Sequence, residues 1–282
     1  MTGRRSIPLS ILYYAVLLLV VLAVMLPIVV TAGNSFRTQD AEIFNYTQTL
    51  SLFTFIPRTF TLSHYGRLFT DTGFGVPMGN SMLVAVLTVA FGFLVNGLAG
   101  YTFAKYRFRG KTPLFLVFLF SFMIPFEVIA IPLYKTCSAL GILNTRAALV
   151  LPMIGNGMIV FLYMQFYKDI PDALLESARI DGASTLRTYF GIIVPLSVPV
   201  IISASLMMFI QQWDAFLWPL VAASGKALKV MQVAIAEFTG ESYTDWTLIY
   251  SATTIAILVP AVILIPLQKY FIQGVVGAGL KE

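Results

Sequence analysis

Residues 169–199 read Asp169-Ile-Pro-Asp-Ala-Leu-Leu-Glu-Ser-Ala-Arg-Ile-Asp-Gly-Ala-Ser184, then Thr185-Leu-Arg-Thr-Tyr-Phe-Gly-Ile-Ile-Val-Pro-Leu-Ser-Val-Pro199. Seven charges lie between Lys168 and Arg187, whereas the flanks 147–167 and 188–213 carry none. Such a segment cannot sit in hydrocarbon, because an ionised side chain there is costly and a backbone without water must satisfy itself. It is therefore read as a structured loop at a membrane face, placed to meet another protein.

Composition agrees. Of 282 residues, 58% are hydrophobic and 11% charged, with a mean hydropathy of +0.85; a soluble domain carries roughly a quarter charged residues. The chain is a polytopic membrane protein. Charge-free runs cover 6–36, 72–104, 112–126, 147–167, 188–213 and 246–268. A helix rising ~1.5 Å per residue needs about 20 apolar residues to cross a core of ~30 Å. The reading is all-α: a single domain over 1–282 with six transmembrane helices at about 11–31, 80–104, 112–134, 147–167, 190–212 and 247–268. The third helix takes in Glu127 near its far end. No in–out alternation supports a barrel.

Lys and Arg set the orientation. With the amino terminus in the cytoplasm, eleven basic residues fall on inner segments and seven on outer ones, and Lys105, Arg107, Arg109 and Lys111 cluster in one short inner loop. Both termini and the charged insert are expected on the cytoplasmic side. The net charge of +5 is this bias. Arg4 and Arg5 precede an apolar run, but it is longer than a signal core and ends in no Ala-x-Ala site, so a retained first helix is expected.

The insert carries helix punctuation. Pro171 suits a first turn, Asp169 and Asp172 complement a positive helix end, Gly182 stops the helix and Ser184 caps a second one. The second helix is expected to enter the membrane at Ile192, loosened by Pro195 and Pro199.

These residues resemble a family. Glu176-x-Ala178, Gly182 six after the Glu, then Ile192 and Pro195, is similar to the EAA loop of ABC-importer permeases. Asn80-Ser81, Ile131-Pro132-Leu133-Tyr134, Trp213 to Leu220, and Lys269-Tyr270-Phe271 with Gly277-Ala278-Gly279-Leu280-Lys281 extend the resemblance to the carbohydrate-uptake subfamily, on the side of the maltose importer's shorter permease subunit. Ser177, Val194 and Asp214 depart from its usual Ala, Leu and Asn.

The resemblance implies a type I permease fold with a cytoplasmic EAA coupling loop at 168–190. It also implies residence as a multi-pass protein in a bacterial inner (plasma) membrane, and import of a di- or oligosaccharide or a related polyol or glycerol phosphate. The implied partners are a second permease, two ATP-binding subunits and an extracytoplasmic solute-binding protein, with no nucleic acid. Glu176, Ala178, Asp181, Gly182, Ala183, Ile192 and Pro195 are implied in ATPase coupling, Leu174, Leu175, Ala178 and Ile180 offering apolar contact. The tail 273–282, through Gly277, Ala278, Gly279 and Lys281, is implied to reach between the ATPase subunits.

No enzymatic activity is expected. Gly110-Lys111-Thr112 has Lys105 where a Walker motif needs Gly, so no nucleotide site is read in this chain; no cofactor is expected on it, and the resemblance implies that ATP and Mg sit on the partner ATPase. His64 and Cys137 are the sole histidine and cysteine, and no metal site is expected. For the substrate path, Gln211, Gln212, Trp213, Asp214, Trp218 and Glu127 supply amides, carboxylates and aromatic faces of the kind that hold sugars. Asn96, Asn156 and Gln165 are further polar groups within the apolar runs. The loops 32–79 and 219–246 are candidates for touching partners outside. The alternative is a proton- or ion-coupled secondary transporter, for which Glu127 and Asp214 are the available relay groups.

Overall fold

The computed structural model describes residues 7–47, 51–240 and 244–279. Within these the chain is helical, save for one isolated antiparallel bridge between Thr239 and Thr244. The helices are α1 (Ile7–Ser35), α2 (Asp40–Thr47), α3 (Leu52–Phe55), α4 (Ser63–Thr70), α5 (Gly75–Lys105), α6 (Lys111–Met123), α7 (Phe126–Ala139), α8 (Arg146–Ile154) and α9 (Gly157–Lys168). They continue with α10 (Asp172–Ile180), α11 (Thr185–Thr188), α12 (Val194–Leu196), α13 (Val198–Trp213), α14 (Leu217–Ala222), α15 (Met231–Ala236) and α16 (Trp246–Gly279).

Among the described residues, three helices are long and apolar enough to cross a membrane unbroken: α1, α5 and α16. The runs expected as continuous helices at 112–134, 147–167 and 190–212 are each broken. Helices α6 and α7 meet at 105°, α8 and α9 at 44°, and Thr185–Leu196 and α13 at 87°; counting each pair as one span brings the total to six. The causes are local. Ile124 precedes Pro125 and is extended (φ −79°, ψ 122°), as the proline ring clash requires. Gly155 is also extended (φ −82°, ψ 121°), and Asn156 begins the next helix by accepting from the amides of Met158 and Ile159. At the third break, Ser197 lies between Pro195 and Pro199, neither of which donates a backbone N–H. Apolarity determines which segment enters lipid, but not that its backbone stays in one helix.

The chain divides into two compact units, 1–74 with 234–259 and 75–233 with 260–282. In the first, the fully buried Arg37 organises the connection after α1. Its Nε donates to Asn34 Oδ1 at 2.7 Å, its Nη2 to the Phe53 carbonyl at 2.5 Å, and Glu42 lies 3.8 Å away. Thr247 N–H donates to Asp40 Oδ1 at 3.1 Å, and the Ser251 hydroxyl to the Ser35 carbonyl at 3.3 Å, which fixes the start of α16 beside the end of α1. The chain itself covers none of the most apolar stretch of α1, leaving that surface to lipid or another subunit.

The second unit is built on α5, which packs along α9, α13 and α8. Close approach depends on glycine: a Cβ at Gly100 would stand 2.5 Å from Tyr163 Cβ, so no other residue allows this spacing of α5 and α9. Asn80 Nδ2 donates to the carbonyls of Ala227 and Lys229 at 2.8 and 2.9 Å, and Ser81 Oγ accepts from Met231 N–H at 2.8 Å. The Asn80-Ser81 pair thus clamps the segment leading into α15. Ser203 Oγ donates to the Tyr270 carbonyl at 3.0 Å, fastening α13 to the second half of α16.

Candidate functional sites: a tethered helical loop and a polar cavity

Between α9 and α13 the chain forms two short helices joined by a glycine. Asp172 stands in the first turn of α10, where its charge complements the helix dipole. Asp169, expected at that end too, is instead the C-cap of α9, and Pro171 is the N-cap of α10 rather than its first residue. Gly182 takes φ +75°; its N–H reaches the Arg179 carbonyl at 3.0 Å and that of Ala183 the Ala178 carbonyl at 2.9 Å. This pair of bonds satisfies the last carbonyls of α10 and needs a left-handed residue at position 182. Ser184 then caps α11, accepting from Arg187 N–H at 3.3 Å. A π-helical turn, Tyr189–Ile193, follows and carries Ile192; Pro195 is exposed in α12.

The loop is tied to the bundle rather than loose. Leu175 and Ile170 join a buried core with Tyr101, Tyr163, Tyr167, Tyr189 and Ile193. The Tyr167 and Tyr189 hydroxyls lie 3.4 Å apart. Lys105, the last residue of α5, donates from Nζ to the Ile170 carbonyl and to Asp172 Oδ1, the latter at 2.7 Å. That hydrogen bond and the lysine charge hold the Asp172 carboxyl below the usual carboxylate range. The Arg179 guanidinium sits 5.8 Å from the centre of the Tyr106 ring, whose hydroxyl is 3.3 Å from Thr185 Oγ1.

One face of α10 turns outward. Glu176, Asp181 and Gly182 are exposed, with Ile180 (87% exposed), Leu174 and Leu186 beside them. The expected contact set needs correction here. Leu175 and Ala178 are buried against the chain's own core, because at helical spacing they fall on the face opposite Glu176 and Ile180. Ala183 and Ile192 are half-buried. Gly277, Ala278 and Gly279 continue the backbone of α16, so residues 273–279 extend the last helix instead of forming a separate tail; Lys281 lies outside the described residues.

The breaks in the other spans shape a cavity of about 690 Å³ in the second unit. Glu127, Gln211, Gln212 and Trp218 line it, joined by Thr88 and Asn156. Asn156 Nδ2 donates to Gln211 Oε1 at 3.2 Å, and Gln212 Nε2 to Thr88 Oγ1 at 3.1 Å. Behind this rim the fully buried Asn96 donates to the carbonyls of Gly92 and Ile154, both at 2.8 Å, and accepts from Asn156 N–H at 2.9 Å. It satisfies backbone groups that the α8–α9 break frees.

Two residues expected on this path are not part of the cavity wall. Trp213 is 1% exposed and stacked on Phe209, with ring centres 5.6 Å apart, because the last turn of α13 points it into the core. Asp214 is the C-cap of α13 and lies outside the lining. Trp218 lines the cavity but is mostly buried, its Nε1 donating to the Ala148 carbonyl at 2.9 Å, so only its ring faces inward. Thr88 was not anticipated: a threonine in an apolar run is unremarkable by sequence. The central place of Asn156 had a signal, since Gly155-Asn156-Gly157 interrupts an otherwise apolar span.

Residues 96–277 match the family described as "Binding-protein-dependent transport system inner membrane component". The chain is 30% identical over 228 residues to the arabinooligosaccharides transport system permease protein AraQ of Halalkalibacterium halodurans, covering 80% of this chain and 82% of that one. It is 29% identical to the sn-glycerol-3-phosphate transport system permease protein UgpE of Pectobacterium atrosepticum, over 98% of both chains. Its fold is similar to a chain of a bacterial ABC transporter involved in the import of the acidic polysaccharide alginate, with a TM-score of 0.82, 21% identity, and coverage of 96% and 99% of the two chains.

Proposed function

The chain belongs to the family of binding-protein-dependent transport system inner membrane components, and from that premise we propose that it is the membrane-spanning permease subunit of an ATP-driven ABC importer for a carbohydrate or a related glycerol-phosphate compound. Its relatives are named for cargo of both kinds. On this reading all 282 residues form one permease domain of six spans, three of them broken, with both termini in the cytoplasm of a bacterial cell. A second permease, two ATP-binding subunits holding ATP and Mg, and an external solute-binding protein complete the assembly.

The observation that carries the mechanism is the tethered loop. A helix of nine residues shows a mixed apolar and acidic face to the aqueous side while its other face is bonded into the bundle. Ile180, Leu174 and Leu186 supply apolar area to an ATPase cleft, and Glu176 pairs with a basic group there. Asp181 sits at the negative end of α10, where it does nothing for the helix, which fits a role toward a partner. The inward faces of Leu175 and Ala178 seat the helix, so that a displacement imposed by the ATPase passes through Lys105 and Asp172 to α5 and through the π-turn to α13. Both helices border the cavity, through Thr88 on α5 and Gln211 and Gln212 on α13, and their movement alternates its access between the two sides. On this reading Gly277, Ala278, Gly279 and Lys281 contact the ATPase pair.

Exchanging Glu176 for lysine tests this. The Glu176→Lys subunit is expected to insert and assemble normally, while ATP hydrolysis continues without uptake. A stably expressed variant with normal transport, or a cysteine at 176 that labels only from outside intact cells, overturns the reading.

A further inference from the structure

The relatives divide by cargo charge: arabinooligosaccharides are uncharged, sn-glycerol-3-phosphate is an anion. The cavity bears on which side this chain falls. Among the residues lining it, Glu127 is the one ionisable side chain, and no lysine, arginine or histidine accompanies it. Glu127 stands in the first turn of α7, right after the Ile124-Pro125 break, where the positive helix end complements its charge. Its carboxylate takes part in no ion pair or hydrogen bond among the described residues, and the residue is exposed. Facing it are neutral amides and an aromatic corner, Phe126 against Trp218 with ring centres 6.1 Å apart.

Resting on the transporter reading above, we propose that Glu127 makes this cavity selective for uncharged polyhydroxy compounds and against phosphorylated, sulfonated or carboxylated ones. The chemistry is one of matching donors to acceptors. An ionised carboxylate only accepts hydrogen bonds, and sugar hydroxyls have protons to give it. A phosphate or carboxylate oxygen has none, so an anion meets Glu127 as acceptor against acceptor and charge against charge. Gln211 and Asn156 already spend one donor–acceptor pair on each other, which leaves no cation and few donors to offset that repulsion. Across roughly 10 Å at an effective dielectric of about 20, two like charges repel by an amount equal to about tenfold or more in affinity.

The test uses the complete complex containing this chain in nanodiscs, without its binding protein. Arabinobiose, lactose and maltose are each compared, as the neutral alditol, with the corresponding aldonate, which has the same open-chain end with one carboxylate in place of a terminal CH2OH, and sn-glycerol-3-phosphate is included. Binding is read as thermal stabilisation over a concentration series. The wild-type complex is expected to bind at least one neutral sugar about tenfold more tightly than its aldonate. Glu127→Gln, which keeps the shape, is expected to bring that pair to near-equal binding with little change for the neutral sugar, and Glu127→Lys to invert the order. The proposal fails if wild type binds an aldonate or sn-glycerol-3-phosphate as well as any neutral sugar, or if Glu127→Gln leaves the ratio unchanged. Absence of any sugar-dependent shift overturns it too, together with the cavity as the substrate path. The transporter assignment is decided separately, by the Glu176→Lys experiment.

Discussion

Replacing Asn96 with leucine should loosen the break between α8 and α9. The asparagine is fully buried and makes two bonds across to that break, to the Ile154 carbonyl at 2.8 Å and from Asn156 N–H at 2.9 Å. Leucine is of similar size, so little cavity is left, but both backbone groups lose their partner. An orphaned buried group costs about 1–3 kcal/mol, whereas interhelical hydrogen bonds within membranes average only about 0.6 kcal/mol because the unfolded chain there finds partners as well. Both backbone groups lie at a helix break, where no neighbouring turn satisfies them, so the upper figure applies to at least one. With about 1–3 kcal/mol for that group and about 0.6 kcal/mol for the other, the loss is about 1.6–3.6 kcal/mol, equivalent to a fall of roughly 3–14 °C in Tm for a chain of this size. Cys137, the single cysteine and a buried one, provides the assay: a thiol-reactive fluorophore reports its exposure on heating. Thr102→Val is the control, since that hydroxyl bonds only to Leu98 of its own helix on an exposed face. An Asn96→Leu variant melting within about 1 °C of wild type refutes the claim that these bonds hold the break.

The two glycines of that break should differ sharply. A Cβ at Gly157 would collide with the Phe118 carbonyl, so Gly157→Val forces α6 from α9 and should cost about 1–3 kcal/mol or more, seen as reduced folded protein in size-exclusion profiles; Gly155→Ala, with open space around it and φ −82°, should be silent. The tether has a pH signature. Because the hydrogen bond from Lys105 and its charge hold the Asp172 carboxyl below the usual carboxylate range, the carboxylate contributes stability that is complete above about pH 4 and lost as pH falls through the lowered folded value. Hydrogen exchange corrected for intrinsic rates should therefore show protection of 172–180 down to about that pH, while Lys105→Met has already lost it at pH 7; equal protection in the two proteins at neutral pH contradicts the tether.

Much of the loop was legible in sequence because capping is local chemistry. Pro171, Gly182 and Ser184 mark their boundaries within four residues of the groups they satisfy, and Gly182 at φ +75° is what a helix stop requires. Burial was less legible. Leu174 and Leu175 are adjacent and identical in type, yet one is exposed and the other packs under the tyrosines. The substrate-path set combines Gln211, Gln212, Trp213, Asp214 and Trp218 with the distant Glu127, although Trp213 and Asp214 turn away from the cavity. Side chains on a helix diverge by position around the axis, so Trp213 can point into the core although Gln211 and Gln212 just before it line the cavity.

What the amino-acid order alone determined is which segments are apolar enough to enter lipid and which are too charged to do so, together with the caps that start and stop the loop helices. Desolvation of a charge and satisfaction of a helix end are properties of a residue and its immediate neighbours. The tertiary structure decided how three apolar helix pairs bend and which polar groups meet across them. Asn96 reaches residue 156, Asn156 reaches Gln211, and Gln212 reaches Thr88, pairs separated by 60, 55 and 124 positions. Hydrogen-bond matching at such separations depends on how helices pack, and helix packing is a property of the whole chain.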